Sequence, residues 1–359
     1  MIGLIYICDS KFWNMETKRE QDILGIILQN GPIGISEILK KMSENISIPT
    51  LNRALSSLKN AESILTTGKG PSLKYSINLK KIITAHVNVD NFFKIETDER
   101  KIIERFNFDV FERLSEIEIF TKNEIQYLES LNENYRLKIA NLSEQQFTKE
   151  FERLMIELSW KSSQIEGNTY DLVDTEQLLK YNVPSKKHSI EEAQMLLNHK
   201  KAIEYTFFNR DIFNEINIGK IIDIHTLLTQ NMGIVKNLRK RIVRITGTKY
   251  LPPDNEYIIQ EAMEKLCGLI NSKENIFERA ILSILLLSYI QPFEDGNKRT
   301  ARLTGNAILM NGNCCPLSYR SINPSDYKKA VLLFYELNNI SSFKQIFINQ
   351  FEFAVNTYF

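Results

Sequence analysis

The stretch Ala280–Met310 constrains the fold more than any other. From Ile281 to Ile290 no residue is charged; the run stops at Pro292, passes through a short acidic, Gly-containing loop, and restarts as an apolar helix at Thr300. That pattern predicts helix, loop, helix, with polar residues crowded at the join. With only 14 Gly and 9 Pro in 359 residues and long Leu/Ile/Glu/Lys stretches, the rest is expected to be mainly α as well. At this length two or more domains are expected.

The join is hard to explain as a mere connector. A helix N-terminus presents unpaired N–H groups and a partial positive charge, and Gly296 lets the backbone approach a ligand closely. Arg299 and Arg302 lie three apart, so both guanidinium groups project from one face. Asp295 adds a hard oxygen of the kind Mg²⁺ takes when it also binds phosphates. Together with Asn297 and Lys298 these residues describe a cradle for a Mg-polyphosphate.

Q-P-F-E-D-G-N-K-R-T-A-R, residues 291–302, resembles the signature of the Fic/Doc family, H-x-F-x-[D/E]-G-N-[G/K]-R-x-x-R. The resemblance implies a Fic-type helical core that transfers AMP from ATP to a hydroxyl side chain of a protein substrate, with ATP and Mg²⁺ as cofactors. It places the metal on Asp295, the α/β-phosphates on Gly296 and Asn297, the β-phosphate on Arg299 and the γ-phosphate on Arg302, with Phe293 anchoring the loop. Lys298 stands at the second-glycine position, as in a Doc branch that transfers phosphate instead. The family's general base is a His, and here the position is Gln291. An amide cannot hold a proton near neutral pH, and general-base catalysis contributes about 10²- to 10⁴-fold. The motif therefore argues for nucleotide binding more firmly than for turnover. Three outcomes stay open: a nucleotide-binding pseudoenzyme, slow transfer, or removal of AMP by water activated through Glu166.

Ser159–Asn168 places Ser162 and Glu166 on one helix face, four residues apart, with Gly167-Asn168 as a C-cap. A carboxylate at a helix C-terminus is unfavourable against the dipole unless a cation is near. The plainer alternative is a solvated carboxylate. Within the resemblance, residues of about 155–168 look like the inhibitory helix motif [S/T]-x-x-x-E-[G/N], whose glutamate bridges to the second arginine, here Arg302. A third stretch, Arg241–Pro253, alternates as a β-hairpin before Gly247 and a Pro-Pro stop. Family members place such a flap where its edge pairs with the target peptide, which makes Ile245, Thr246, Gly247, Thr248, Lys249 and Tyr250 the docking segment. A purely structural hairpin is the alternative.

The N-terminal part reads differently. Residues 1–89 carry eleven Lys and Arg against seven Asp and Glu, a balance of +4 in a chain of net charge +1, so nucleic-acid binding, if any, belongs there. Helices over Lys18–Leu28, Ile35–Met42 (Ser36 as N-cap) and Ile48–Asn60, then two strands flanking Gly68-Lys69-Gly70-Pro71, look like a winged helix-turn-helix. Its third helix would offer Thr50, Asn52, Arg53, Ser57 and Lys59 to a DNA major groove, and its wing Lys69 and Lys74 to phosphates. A dimerisation or protein-docking module is the alternative, and a homodimer stays open.

The expected organisation is a tail 1–14, a winged-helix domain 15–80, a linker 81–99 and a core 100–359. Met15 marks an alternative start. His86 is read as a linker residue, His188 and His199 as surface residues, and His225 as a buried, hydrogen-bonded one. Four cysteines, Cys8, Cys267, Cys314 and Cys315, are too few and too badly spaced for a disulfide framework or zinc site, which favours a reduced, cytoplasmic setting. No run reaches the roughly 18 apolar residues of a membrane span.

Overall fold

The computed structural model describes residues 18–42, 44, 46–78 and 83–359. The expected tail 1–14, Met15, Cys8 and residues 81–82 of the expected linker lie outside them. The chain divides into two compact units: one holds the described residues up to Arg105 with Ile245–Tyr250 and Leu332–Ser342, and the other holds Phe106–Arg244, Leu251–Val331 and Phe343–Phe359.

In the first unit α1 (Lys18–Asn30), α2 (Ile35–Lys41) and α3 (Ile48–Asn60) precede the antiparallel strands β1 (Ile64–Thr67) and β2 (Lys74–Ile77). The strands pair Ile64 with Ile77 through Thr67 with Lys74, and a single bridge joins Ile33 to Tyr75. Leu51, Leu55 and Leu58 form the buried face of α3 and meet Ile23, Leu24, Ile27, Ile38 and Ile64. Each such side chain contributes about 1.5–3 kcal/mol on leaving water. Ser47 caps α3, accepting from Thr50 N. The N-cap of α2 is Gly34 rather than Ser36, which lies inside the helix.

The stretch expected as a linker is folded into this unit. It contains α4 (Val89–Phe93), capped by Asn88, and its Val87 and Phe92 are buried. Ile340 N donates to Ile83 O at 2.8 Å and Asn339 Nδ2 to Ala85 O at 2.8 Å. No sequence period marks the stretch because its partners come from some 250 residues away. The hairpin expected over 241–253 does not form: residues 241–250 contain no strand, only a turn at Thr246-Gly247, where Gly247 has φ 88°. Its polar groups are satisfied by side chains instead of a ladder. Gly247 O accepts from Arg100 Nη2 at 2.5 Å, Tyr250 N donates to Thr248 Oγ1 at 3.1 Å, and Lys249 Nζ donates to Asp98 O at 3.0 Å.

The second unit is helical: α5 (Asp109–Ser115), α6 (Lys122–Ala140), α7 (Glu144–Ile165), α8 (Leu172–Tyr181), α9 (Ile190–Phe208), α10 (Ile218–Leu228), α11 (Glu256–Ser272), α12 (Ile276–Ile290) and α13 (Asn297–Asn311). They are followed by α14 (Pro324–Leu337), whose end enters the first unit, and α15 (Ser341–Thr357). α12 is apolar all round and accordingly buried from Ala280 to Ile290. It packs closely on α13 at Gly305, where a Cβ would lie 2.6 Å from Ile284 Cγ1. Capping boxes at Thr121, Ser143 and Ser189 fix the starts of α6, α7 and α9.

Candidate functional site

The loop between α12 and α13 is built from its own motif residues. α12 ends at Gln291, which adopts a left-handed conformation (φ 51°) while its N–H still reaches Leu287 O at 3.0 Å. Asn297 staples the loop shut: Phe293 N donates to its Oδ1 and its Nδ2 to Phe293 O, both at 2.8 Å. Gly296 is the N-cap of α13 with φ 78°, a conformation that favours glycine, and a Cβ there would come 3.1 Å from Thr229 Cγ2, which leaves little room for a side chain. Phe293 is fully buried, as expected of the anchor.

His225 of α10 supports this loop from behind. Its ring stacks on Phe293 at 3.7 Å, and Nε2 donates to Asp295 O at 3.0 Å. Burial first, with the nearby Arg299 charge, pulls its pKa down to about 4, so the imidazole is neutral with its proton on Nε2. The expectation of a buried, hydrogen-bonded histidine holds; its attachment to the motif loop had no sequence signal.

A cavity of about 160 Å³ opens over the N-terminus of α13. Gln291, Asp295, Gly296, Asn297, Lys298 and Arg299 line it, joined by Glu166 and by Val243, Arg244 and Glu294, which sequence reasoning missed. Arg299 is 2% exposed, pairs with the exposed Asp295 carboxylate at 3.8 Å, and keeps Nη1 buried without a partner. Arg302 does not line the cavity. It is wholly buried behind Glu166, donating from Nη1 to Glu166 Oε1 at 2.8 Å, from Nε to Ser162 Oγ at 2.9 Å and from Nη2 to Ser162 O at 2.7 Å, with Tyr327 beside it. Lys298 Nζ reaches the other oxygen of Glu166 at 3.4 Å.

Glu166 is the C-cap of α7, where the dipole opposes its charge, and the two cations supply the compensation. Burial alone would raise the carboxyl; the Arg302 and Lys298 charges outweigh it and hold it below the usual carboxylate range. Ser162, which accepts from Arg302, also shares a hydrogen bond with His199 Nε2 at 2.9 Å. His199 is therefore not a surface residue. It is fully buried, and burial first, then the Arg299 and Arg302 charges, lowers its pKa to about 3. His188 is half-buried, stacked on Tyr170 and bonded to Thr169 Oγ1 at 2.9 Å.

Arg239 was also missed. It is 1% exposed, and its guanidinium ties Gln291 O, Arg241 O and Pro253 O at 2.6–2.7 Å, while its N–H holds Pro292 O at 2.9 Å. Of the expected docking segment, Tyr250 is buried against Tyr335 and only Thr246 and Gly247 are well exposed. In the first unit Asn52, Arg53, Ser57, Lys59, Lys69 and Lys74 are exposed, whereas the Thr50 hydroxyl is 2.8 Å from that of Ser47. Among the described residues no three His, Cys, Asp or Glu side chains are grouped to hold a metal, and no helix is long and apolar enough to cross a membrane. Cys267, Cys314 and Cys315 are free and buried; burial pushes the first two thiols up to about 12.

Fold and loop together define a helical protein whose inter-helix loop opens on a cavity lined by Arg299 and faced by the Glu166 carboxylate. Residues 215–309 match the family model of the Fic/DOC family, and this segment is a Fic/DOC family domain. The chain is similar to "Protein adenylyltransferase Fic" of Nematostella vectensis, 31% identical over 175 residues, 47% of this chain and 40% of that protein. It is also similar to "Protein adenylyltransferase fic-1" of Caenorhabditis elegans, 28% identical over 161 residues, 43% of this chain and 31% of that one. The matches thus span well under half the length of these relatives. Among solved structures, Fic-1 (aa134–508) from C. elegans aligns over 99% of this chain and 96% of that chain with a TM-score of 0.56 at 16% identity. A Fic domain containing signaling protein from Bacteroides thetaiotaomicron aligns over 64% and 94% with a TM-score of 0.56 at 20% identity. The fold is the helical Fic fold.

Proposed function

We propose that the protein binds Mg-ATP over the N-terminus of α13 and is related in activity to protein AMP transferases acting on a hydroxyl side chain of a partner protein. Glu166 holds the site off, and Gln291 leaves turnover impaired. The observation that carries this reading is the 2.8 Å bond from Arg302 to Glu166 beside the cavity formed by the glycine loop and Arg299. At about 160 Å³ that cavity is smaller than the roughly 300–1,000 Å³ of a typical ligand pocket, as expected if a side chain occupies part of the site.

The donor set fits the cofactors. The α13 N–H groups, the unpartnered Arg299 Nη1 and Lys298 suit phosphate oxygens. Asp295 is a single, 68% exposed carboxylate, which suits Mg²⁺ completed by phosphate oxygens and water rather than a protein cage. The metal would supply charge neutralisation on the phosphates. Gln291, lining the cavity and donating from Nε2 to Ser288 O at 2.6 Å, can orient a hydroxyl but cannot take its proton.

Calorimetry of Mg-ATP against the native chain and Glu166→Gly tests the cradle and its gate together. Tighter binding to the variant is expected; equal affinity removes the gate, and no binding to either removes the cradle. Label transfer from α-labelled ATP reports AMP transfer, transfer from γ-labelled ATP reports phosphotransfer at the Lys298 subsite, and loss of label from a premodified partner reports AMP removal.

A second reading concerns the first unit. Three helices, a two-stranded hairpin and exposed Asn52, Arg53, Lys59, Lys69 and Lys74 favour a winged helix on duplex DNA, which would make the protein a nucleotide-sensing regulator. Salt-dependent duplex binding that disappears in Arg53→Ala with Lys69→Ala supports it, and no affinity at low salt removes it. A homodimer through this unit is read by sedimentation.

A further inference from the structure

We infer that Arg320 and Tyr358 are positioning residues for the Glu166 gate, which they set from a distance by clamping Glu157 of the same helix, α7. The inference rests on the gate proposed above. Glu157 lies nine residues before Glu166, about 13 Å along α7 and about half a turn round it. A carboxylate buried there is costly unless it is paired, and this one has three partners. Arg320 Nη1 donates to both of its oxygens, at 3.0 and 3.1 Å, and Arg153 Nε stands 3.5 Å from Oε1. Tyr358, fully buried just after α15, donates from its hydroxyl to Oε2. Neither Glu157 nor any of its partners lines the cavity over α13.

The clamp is joined to Arg302 through α13. Asn306, one turn beyond Arg302 and fully buried, accepts from Leu317 N at 2.8 Å and donates to Leu317 O at 2.9 Å, so the loop after α13 is fixed to the helix that carries Arg302. From Leu317 the loop reaches Tyr319, whose ring lies 6.0 Å from the Arg302 guanidinium, and then Arg320 on Glu157. Tyr319 has φ 59°, a conformation that a bulky residue holds only where its surroundings impose it, and it sends consecutive side chains to Arg302 and to Glu157. The links close a ring. They run from Arg302 along α13 to Asn306, along the loop to Arg320, across to Glu157, along α7 to Glu166, and back to Arg302 at 2.8 Å. Every member belongs to the second unit.

Arg302 reaches α7 through three atoms, Glu166 Oε1, Ser162 Oγ and Ser162 O, so all three bonds depend on where that helix sits. Two ion pairs about 13 Å apart and about half a turn round fix both its slide and its rotation, whereas one pair alone leaves a pivot. Loosening Glu157 therefore raises the fraction of molecules in which Arg302 is free, without changing any group of the nucleotide cradle. Apparent affinity for the nucleotide scales with that fraction.

Calorimetry of Mg-ATP against Arg320→Met and Tyr358→Phe, each in the native and the Glu166→Gly background, tests the clamp. In the native background both should tighten binding by about three- to tenfold, and by less than Glu166→Gly does. Once Glu166 is gone, both should leave affinity within about twofold. Glu176→Gln on α8, which breaks an exposed pair with Lys180 outside the ring, should change neither value. A merely structural role lowers the melting temperature but gives no such dependence on background. Should Arg320→Met not fold, Tyr358→Phe, which loses one hydroxyl and no charge, carries the test. Unchanged affinity in the clamp variants while Glu166→Gly tightens binding overturns the clamp and leaves the gate standing. Equal tightening in both backgrounds also overturns it, by placing the effect on the cradle rather than on Glu166. If Glu166→Gly itself does not tighten binding, the gate fails and the clamp with it.

Discussion

Glu166 Oε1 sits 2.8 Å from Arg302 Nη1, although the two residues, one the C-cap of α7 and the other in the second turn of α13, are 136 positions apart in the sequence. Arg302 is fully buried and Glu166 is 18% exposed, so the pair is not a loose surface contact. Removing one partner of a buried pair leaves the other charge uncompensated, at a cost of about 3–5 kcal/mol. Glu166→Gly should therefore melt earlier than the native chain without nucleotide, yet gain more from Mg-ATP. At 100 times Kd the gain is about 2.7 kcal/mol. Thermal melts of both chains with and without Mg-ATP decide; a variant that melts earlier and gains nothing contradicts the role of Arg302 in binding phosphate.

Lys298 belongs to the gate proposed above. Its Nζ lies 3.4 Å from Glu166 Oε2 and is only partly buried, so its contribution is about 0.2–1 kcal/mol. Lys298→Gly should tighten Mg-ATP binding in the native background by a few fold. In the Glu166→Gly background the same change should weaken binding, because only the contact to phosphate is then lost. The same sign in both backgrounds would sever the lysine from the gate.

The pH dependence of stability follows from the lowered pKa values. His225 titrates at about 4 when folded against about 6.5 unfolded, so between these values the unfolded chain binds more protons and stability falls as pH is lowered. His225 alone contributes up to about 3 kcal/mol of that fall. Glu166 is depressed, so its stabilisation is fully present above about pH 4.3 and is lost only as pH drops below that, through its folded value. Urea unfolding from pH 7 to 4 should show a slope that flattens in His225→Gln but not in Glu166→Gln.

The α12–loop–α13 motif was legible because several of the contacts that shape it are local: Asn297 on Phe293, Gly296 as cap, Arg299 on Asp295. The helices of the first unit were legible for the same reason, since Leu51, Leu55 and Leu58 repeat on one face of α3. What escaped were contacts whose partners lie far away in the chain. His199 read as a surface residue because only the fold brings Ser162 to it, and Arg239 gave no signal because its acceptors are carbonyls, which carry none in their side chains. The stretch from Arg241 alternates like a hairpin up to Gly247, but Arg100 occupies the Gly247 carbonyl, so side-chain partners override the β pattern.

Arg239 is a strong test of how that loop is held. Its guanidinium reaches three carbonyls at 2.6–2.7 Å, among them Gln291 O. Hydrogen bonds to charged groups contribute about 1.5–3 kcal/mol each, so Arg239→Ala should cost more than about 3 kcal/mol, with Arg239→Lys recovering only part because an ammonium cannot span the fork. Urea midpoints measure both, and a loss under about 1 kcal/mol would show that the loop is held by Asn297 and His225 alone.

Gln291→His separates a missing base from a misplaced one. Gln291 is 7% exposed, lines the cavity, and is held in a left-handed conformation by its bond to Leu287 O and by Arg239 on its carbonyl. His tolerates that conformation better than most residues, so the substitution should leave the backbone in place. A neutral imidazole at the cavity wall supplies the proton acceptor that the amide lacks, worth about 10²- to 10⁴-fold if geometry is right. Introduced with Glu166→Gly, so that the gate is open in both chains, Gln291→His should raise AMP transfer by that factor while leaving Mg-ATP affinity within about twofold. Transfer that is already as fast in Glu166→Gly alone would mean that the target hydroxyl loses its proton to another group, and Glu294 and Asp295, the other carboxylates lining the cavity, would be the residues to substitute next.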